Sequence, residues 1–290
     1  MSMPHEASKP EYSSTYFVQD RQNEREMQRL LIQDRMVTDA FGGVWPEQTD
    51  PTRIRRVLDV GCGPGGWALD VAQAYPEVQV EGIDISQRMV AYAREQAAAR
   101  QVADRVTFHV MDALRMLEFP DAYFDLVNLR FAISFMRTWD WQKLLSEFRR
   151  VMAPGGIVRL TDNNIVHESN SPALTRLQEI GVCTLFRAGN LFSEDGAGLI
   201  AHLPRLLTQH GWRDVQTRAY VLSFRAGTPE GQAYYEDMAH VFQTTLPFIR
   251  KWGCAPADYD AIYQQALLEM QQSDFHVSWH YLTAWGRRPR

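Results

Sequence analysis

The stretch "VLDVGCGPGGWALDVA", Val57 to Ala72, constrains the fold more than any other part of the chain. A short apolar run carrying one acid, Asp59, ends in four glycines and a proline within six residues, and a helical pattern starts at Trp67. A strand that turns this sharply into a helix leaves bare backbone against which a ligand can lie. Gly61, Gly63 and Gly66 satisfy G-x-G-x-x-G, the dinucleotide fingerprint, which by itself also describes a mere tight turn. The ligand brings either a pyrophosphate or no phosphate at all.

Beyond residue 51 strands alternate with helices, the pattern of a parallel sheet. Strands are expected over 56–60, 79–83, 105–111, 124–129 and 157–161, with helices over 66–75, 86–100 and 140–153. The last helix stops at "APGG". Residues 165–200 give no clear pattern. A helix near 199–210 leads to a sixth strand, "RDVQTRAYVLSF", and a seventh, "HVSWHYLTAWG", closes the chain. Residues 1–14 read as a loose tail, and a helical segment from Tyr16 stops at Gly42-Gly43. The expected architecture is a doubly wound, Rossmann-like α/β sheet of seven strands, the last antiparallel, with helical segments as a lid. Its parts are an N-terminal tail and helical lid (1–50), a core (51–225), a helical insertion (226–272) and the final strand (273–290).

The second strand separates the candidate ligands further. "GIDIS" ends in Asp84, 18 residues after Gly66, where a carboxylate can accept hydrogen bonds from both ribose hydroxyls. The alternative is an acid placed at a helix start by the macrodipole. NAD and S-adenosylmethionine both offer a ribose, so a third feature is needed. The third strand runs into "VMDAL", which puts Asp112 where a strand end would meet an adenine edge. "FDLVNLRF" and "RRVMAPGG" follow, a series that the NAD reading does not account for.

In this order, "VLDVGCGPGG", "GIDIS", "MDA", "FDLVNLRF" and "RRVMAPGG" resemble the class I S-adenosylmethionine-dependent methyltransferases, most closely those with a UbiE-like domain. The resemblance covers about residues 55–162, and "SWHYLTAWGRRP" is similar to the ending of small-molecule members. It implies a residue-by-residue cofactor set. Gly61 and Gly63 would lie against the methionine part, with Asp59 near its amino group. Asp84 would hold the ribose, Ile85 and Met89 would pack on adenine, and Asp112 with Ala113 would meet the adenine amino group. Leu129 and Arg130 would close the pocket, and Tyr16 and Gln33 would cover the methionyl carboxylate.

Methyl transfer from a sulfonium releases a neutral leaving group, so the protein must mainly align the acceptor and exclude water. Asp162, Asn163 and His167 of "TDNNIVHES" are the candidates for orienting or deprotonating an acceptor. No metal is expected. His276 and His280 have H-x-x-x-H spacing but sit in an alternating, strand-like segment, where four residues span about 13 Å. Tyr234, Tyr235, Phe242, Phe248, Trp252 and Tyr263 of the insertion would cap an apolar, aromatic or polyketide-like acceptor, methylated on O, N or C, in secondary metabolism. The competing readings are an NAD-dependent oxidoreductase and a protein that binds S-adenosylmethionine without transferring its methyl group.

Composition sets the remaining bounds. With 45% hydrophobic residues, the 290-residue chain can bury a sizeable core. The net charge is −5 and no basic stripe alternates with aromatics, which argues against a nucleic-acid partner. No run approaches the roughly 18 apolar residues of a membrane span, and "MSMPHEASKPEYSS" lacks an apolar signal core. Cys62, Cys183 and Cys254 are far apart in sequence and read as reduced thiols of a cytoplasmic protein.

Overall fold

The computed structural model describes residues 15–18, 24–48 and 50–290; the tail expected over 1–14 lies outside them. An N-terminal helix α1 (Glu24–Phe41) precedes β1 (Arg56–Val60), α2 (Gly66–Ala74), β2 (Gln79–Asp84), α3 (Gln87–Ala99), β3 (Val106–Val110) and β4 (Phe124–Arg130). The chain continues through α4 (Trp141–Val151), β5 (Met152–Asn163), β6 (Glu168–Ser169), α5 (Pro172–Arg187), α6 (Leu203–Gln209) and β7 (Arg213–Arg225). Three helices follow, α7 (Pro229–Thr244), α8 (Leu246–Lys251) and α9 (Tyr259–Glu269), before β8 (His276–Arg287).

β1 is buried at every position from Val57 to Val60, so both faces of the sheet must be covered. α2 and α3 pack on one face, around Trp67, Val71, Val90 and Phe108. α4 and α6 cover the other, around Leu144, Phe148, Leu203 and Leu207. β1 pairs in parallel with both β2 and β4, Val60 facing Ile83 on one side and Leu129 on the other. The strand order β3-β2-β1-β4-β5 therefore reverses direction between β1 and β4. A crevice opens at such a switch point, beyond the carboxyl ends of the strands. β8 runs antiparallel to β5 and to β7, as expected of the last strand.

The sheet has eight strands where seven are expected from the sequence. The extra one, β6, is only two residues long and pairs with Val277 and Ser278 of β8, beyond the end of β5. Residues 165–200, unreadable in sequence, contain the 16-residue α5. Its start has a local cause: Ser171 caps it by accepting the Leu174 N–H at 3.1 Å, and Pro172 occupies the first turn. The "APGG" segment ends α4 but belongs to β5, whose register against β4 shifts between Phe124 and Leu126.

α1, α5 and the three helices between β7 and β8 bury a further core against the β7–β8 pair, including Val37, Leu174, Leu177, Tyr234, Phe242 and Trp279. One cysteine expectation is overturned here. Cys183 of α5 and Cys254, just after α8, form a disulfide with Cα atoms 6.2 Å apart, although 71 residues separate them. The packing of α8 on α5 brings together what the linear spacing keeps apart. Cys62 remains a buried thiol. No helix among the described residues is long and apolar enough to cross a membrane.

Candidate active site

Two adjoining cavities, of about 150 and 170 Å³, open beyond the carboxyl ends of the strands. The smaller is floored by the glycine loop. Gly61 and Gly63 line it with φ of +65° and +52°, a left-handed conformation that L side chains rarely adopt. A Cβ on Gly61 would also stand 3.3 Å from the Phe135 ring. Asp84 ties this loop to the end of β2: Oδ2 accepts the Gly63 N–H at 2.9 Å and Oδ1 accepts that of Ser86 at 2.8 Å. Helix α3 is capped by Ser86, not by Asp84, so the acid is not needed to start that helix. Ile85, Met89, Asp112 and Ala113 form the opposite wall. Asp112 Oδ1 accepts the Leu114 N–H at 2.9 Å, which fixes the carboxylate in the turn after β3.

Tyr16 and Arg130 also line this cavity. Arg130 pairs with Asp34 of α1 and donates to Thr38 Oγ1 at 3.2 Å. Asp34 stands at the N-terminus of α2, so close that a Cβ on Gly66 would collide with its carboxylate. A dinucleotide would place its pyrophosphate at this helix end. In this chain the position is filled by the Asp34 carboxylate, itself paired with Arg130, which leaves no open helix end for one. A cofactor of adenine, ribose and an amino-acid tail, with no phosphate, fits the walls instead: carboxylates at two strand ends, apolar side chains between them and exposed loop backbone. S-adenosylmethionine has that composition.

Three residues of the implied cofactor set lie elsewhere. Asp59 is buried behind the loop, accepting from Asn128 Nδ2 at 2.8 Å. Burial pushes its carboxyl up to about 7 against the pull of Arg130. Leu129 points into the core between sheet and helices. Gln33 lines the larger cavity. For Leu129 the displacement follows from strand alternation, because at the end of β4 Arg130 faces the crevice and Leu129 the core.

The larger cavity is assembled from distant segments: α1, the turn after β4, the loop after β5, α5, α7, α8 and β8. Phe242 and Phe248 of the insertion line it, whereas Tyr235, Trp252 and Tyr263 do not. Tyr234 packs behind, its hydroxyl 2.7 Å from His167 Nδ1. Asn163 and His167 reach the cavity wall. Burial drives His167 down to about 3, with His280 adding to the shift, so the imidazole is neutral. Asp162 does not reach the cavity. Its Oδ2 accepts the Ile133 N–H at 3.1 Å and Oδ1 that of Asn163 at 3.0 Å, and burial raises it to about 7.

The cavities share Tyr16, Leu30, Phe131 and Ser134 as a common wall. Phe131 has φ of +57°, a costly conformation for an aromatic residue, and leads into the 3-10 turn Ala132–Ser134. Sequence reasoning missed Phe131, Asp34 and three polar residues of the larger cavity, Arg29, Gln178 and Asp237. For α1 a signal exists: Glu26, Arg29 and Gln33 fall on the same helical face as Met27 and Val37, and all five are buried.

Residues 57–156 match the family described as "Methyltransferase domain". The chain is 40% identical over 119 residues to ajmaline N-methyltransferase from Rauvolfia serpentina, a match covering 41% of this chain and 39% of that protein. It is 35% identical to the ubiquinone/menaquinone biosynthesis C-methyltransferase UbiE from Geobacter sulfurreducens, covering 49% of this chain and 54% of the relative. The chain thus spans between two-fifths and about half the length of these relatives. A putative methyltransferase from Bacillus halodurans shares the fold at a TM-score of 0.52 and 17% identity, covering 82% of this chain and 94% of its own. With the motif series and the strand order, these matches make residues 57–156 similar to a methyltransferase domain. The domain is of the Rossmann-like type, with β8 as its antiparallel strand.

Proposed function

We propose that the protein transfers a methyl group from S-adenosylmethionine to an O, N or C atom of an apolar small molecule, in secondary metabolism. The observation that carries this reading is the common wall: a cavity built of loop backbone and strand-end carboxylates adjoins an apolar one across Tyr16, Leu30, Phe131 and Ser134. Two ligands seated there would meet end to end, as an in-line displacement requires.

Bound in the smaller cavity, S-adenosylmethionine would supply a methyl group on a positively charged sulfur. Asp84 would accept the ribose hydroxyls while its two backbone bonds keep it aimed. Asp112 would accept from the adenine amino group, with Ile85 and Met89 against the ring. On the acceptor side, Asn163 and His167 orient the substrate. A neutral imidazole with strongly depressed basicity suits hydrogen bonding better than proton removal. Asp162 is a positioning residue, holding the backbone of Ile133 in the turn that follows Phe131. Phe242, Phe248 and Met238 exclude water. The names of the relatives, an N-methyltransferase and a C-methyltransferase, support a small-molecule acceptor and leave the atom open.

Calorimetric titration with S-adenosylhomocysteine and with NAD tests the cofactor half, and S-adenosylhomocysteine alone is expected to bind. Binding of NAD alone would overturn the reading in favour of an oxidoreductase. Transfer of a tritiated methyl group to metabolites of the host is then the test of chemistry. Cofactor binding without transfer to any metabolite would favour a protein that binds and does not methylate.

A further inference from the structure

The larger cavity contains an unbalanced buried charge. Arg29 of α1 is gripped by Glu26, which accepts from Nε at 2.9 Å and from Nη2 at 2.8 Å. Glu26 also accepts from the Tyr16 hydroxyl at 2.5 Å, and Arg29 Nη2 donates to the same hydroxyl at 3.3 Å. Only one longer bond, Arg29 Nη1 to Asp237 Oδ1 at 3.3 Å, reaches across to α7. Four hydrogen bonds thus engage a guanidinium that has five N–H donors. Glu26 alone balances its charge. Asp237 is the surplus.

Asp237 lines the cavity, its side chain is fully buried, and Oδ2 has no hydrogen-bond partner among the described residues. Burial raises this carboxyl to about 6, and the Arg29 guanidinium opposes the shift toward the neutral form. A buried carboxylate oxygen without a donor costs several times an ordinary hydrogen bond, unless a ligand supplies what is missing. The other ionisable groups on the wall do not: His167 is neutral, and Tyr16 is engaged with Glu26. The remaining lining carries no charge: apolar side chains such as Leu30, Met238, Val241, Phe242 and Ile249 alternate with neutral polar ones, Gln33, Asn163 and Gln178 among them.

We propose that the acceptor is a basic amine with an apolar body, its ammonium group seated against Asp237 as the second cation of the Glu26–Arg29–Asp237 cluster. The ammonium would donate to Oδ2 and restore charge balance, two carboxylates facing two cations. An anionic ligand would meet the surplus negative charge. A neutral alcohol could donate to Oδ2 and would leave the charge uncompensated. The inference rests on the methyl-acceptor reading of this cavity and specifies its substrate class.

The experiment uses the full chain saturated with S-adenosylhomocysteine, whose own binding is measured first. Tryptamine, 2-phenylethylamine and octylamine are titrated beside the alcohol and the carboxylate of each skeleton. At least one amine is expected to bind ten times more tightly than its alcohol, with its carboxylate weaker still. In Asp237→Asn, which keeps an oxygen for Arg29, the preference should shrink to within about twofold, the S-adenosylhomocysteine affinity being unchanged (tenfold is 1.4 kcal/mol). Alcohols or acids binding as tightly as the amines would overturn the proposal. So would the absence of binding by all three amines to the cofactor-loaded protein, or an amine preference that survives in Asp237→Asn. Should that variant fail to fold, the comparison of amine with alcohol in the unaltered protein decides. Loss of S-adenosylhomocysteine binding by the unaltered chain would instead defeat the underlying cofactor reading.

Discussion

The two cavities are built on opposite principles. The smaller draws most of its wall from one stretch of chain, Gly61 to Phe135, as turns at the ends of consecutive parallel strands. It exposes loop backbone and short polar side chains whose positions the sheet fixes. The larger cavity draws on α1, α5, α7, α8 and β8, which come together only when the chain is folded. A loop-and-strand site is set by local geometry and tolerates little variation. A site roofed by packed helices is set by side-chain volume and buried charge, and can be altered without disturbing the sheet.

The largest effect that would test this contrast concerns Arg29. Arg29→Met leaves Glu26 and Asp237 as buried carboxylates without their cation, and is expected to cost about 3–5 kcal/mol of stability. Denaturant unfolding measures the loss; a cost below about 1 kcal/mol would mean that the cluster is not a structural unit. Asp84→Ala, in the smaller cavity, is expected to weaken S-adenosylhomocysteine binding by about 1.5–3 kcal/mol, the scale for hydrogen bonds to a charged group. Unchanged affinity in a calorimetric titration would remove Asp84 from the ribose site.

A third prediction uses pH. His167 has a folded-state value near 3, below its unfolded value, so the unfolded chain binds the extra proton first on acidification. The stability it contributes is complete above about pH 6.5 and is lost as pH falls toward 3. Asp162 and Asp237, raised to about 7 and 6, act in the opposite sense over part of that window. The difference between the protein and His167→Gln isolates the histidine. Between pH 6 and 4 the stability of the unaltered chain should fall more steeply, by up to about 1.4 kcal/mol per pH unit. Parallel curves would show that the imidazole is not held neutral. The smallest effect is a null one. Phe242→Leu, confined to the helical roof, should leave S-adenosylhomocysteine affinity within about twofold, under about 0.5 kcal/mol. A tenfold change would mean that the cavities are not separate in construction.

The same contrast explains what could be read from the sequence. The order of β1 to β5, the loop of Gly61 and Gly63, and the positions of Asp84, Asp112 and Arg130 follow from strand ends and turns that are local in the chain. Side-chain direction at those ends is less legible. Leu129 falls on the pleat opposite Arg130, and Asp59 lies deeper on its strand against Asn128; no periodicity count over so short a segment tells which face a fully buried strand presents. α5 was missed because polar residues of its buried face, Gln178 and Thr184, blur the apolar period, although the Ser171-Pro172 start was available. The Cys183–Cys254 bond and the Arg29–Asp237 pair join segments 71 and 208 residues apart, and neither follows from spacing.

The wall common to both cavities has a thermodynamic consequence. Tyr16, Leu30, Phe131 and Ser134 present one surface to each side, so an occupant that orders them for itself also orders them for its neighbour. Such coupling is reciprocal. Whatever factor S-adenosylhomocysteine contributes to the affinity of a molecule in the larger cavity, that molecule returns in full. If the factor exceeds one, each occupant tightens the hold on the other, and departure of either loosens the one that remains.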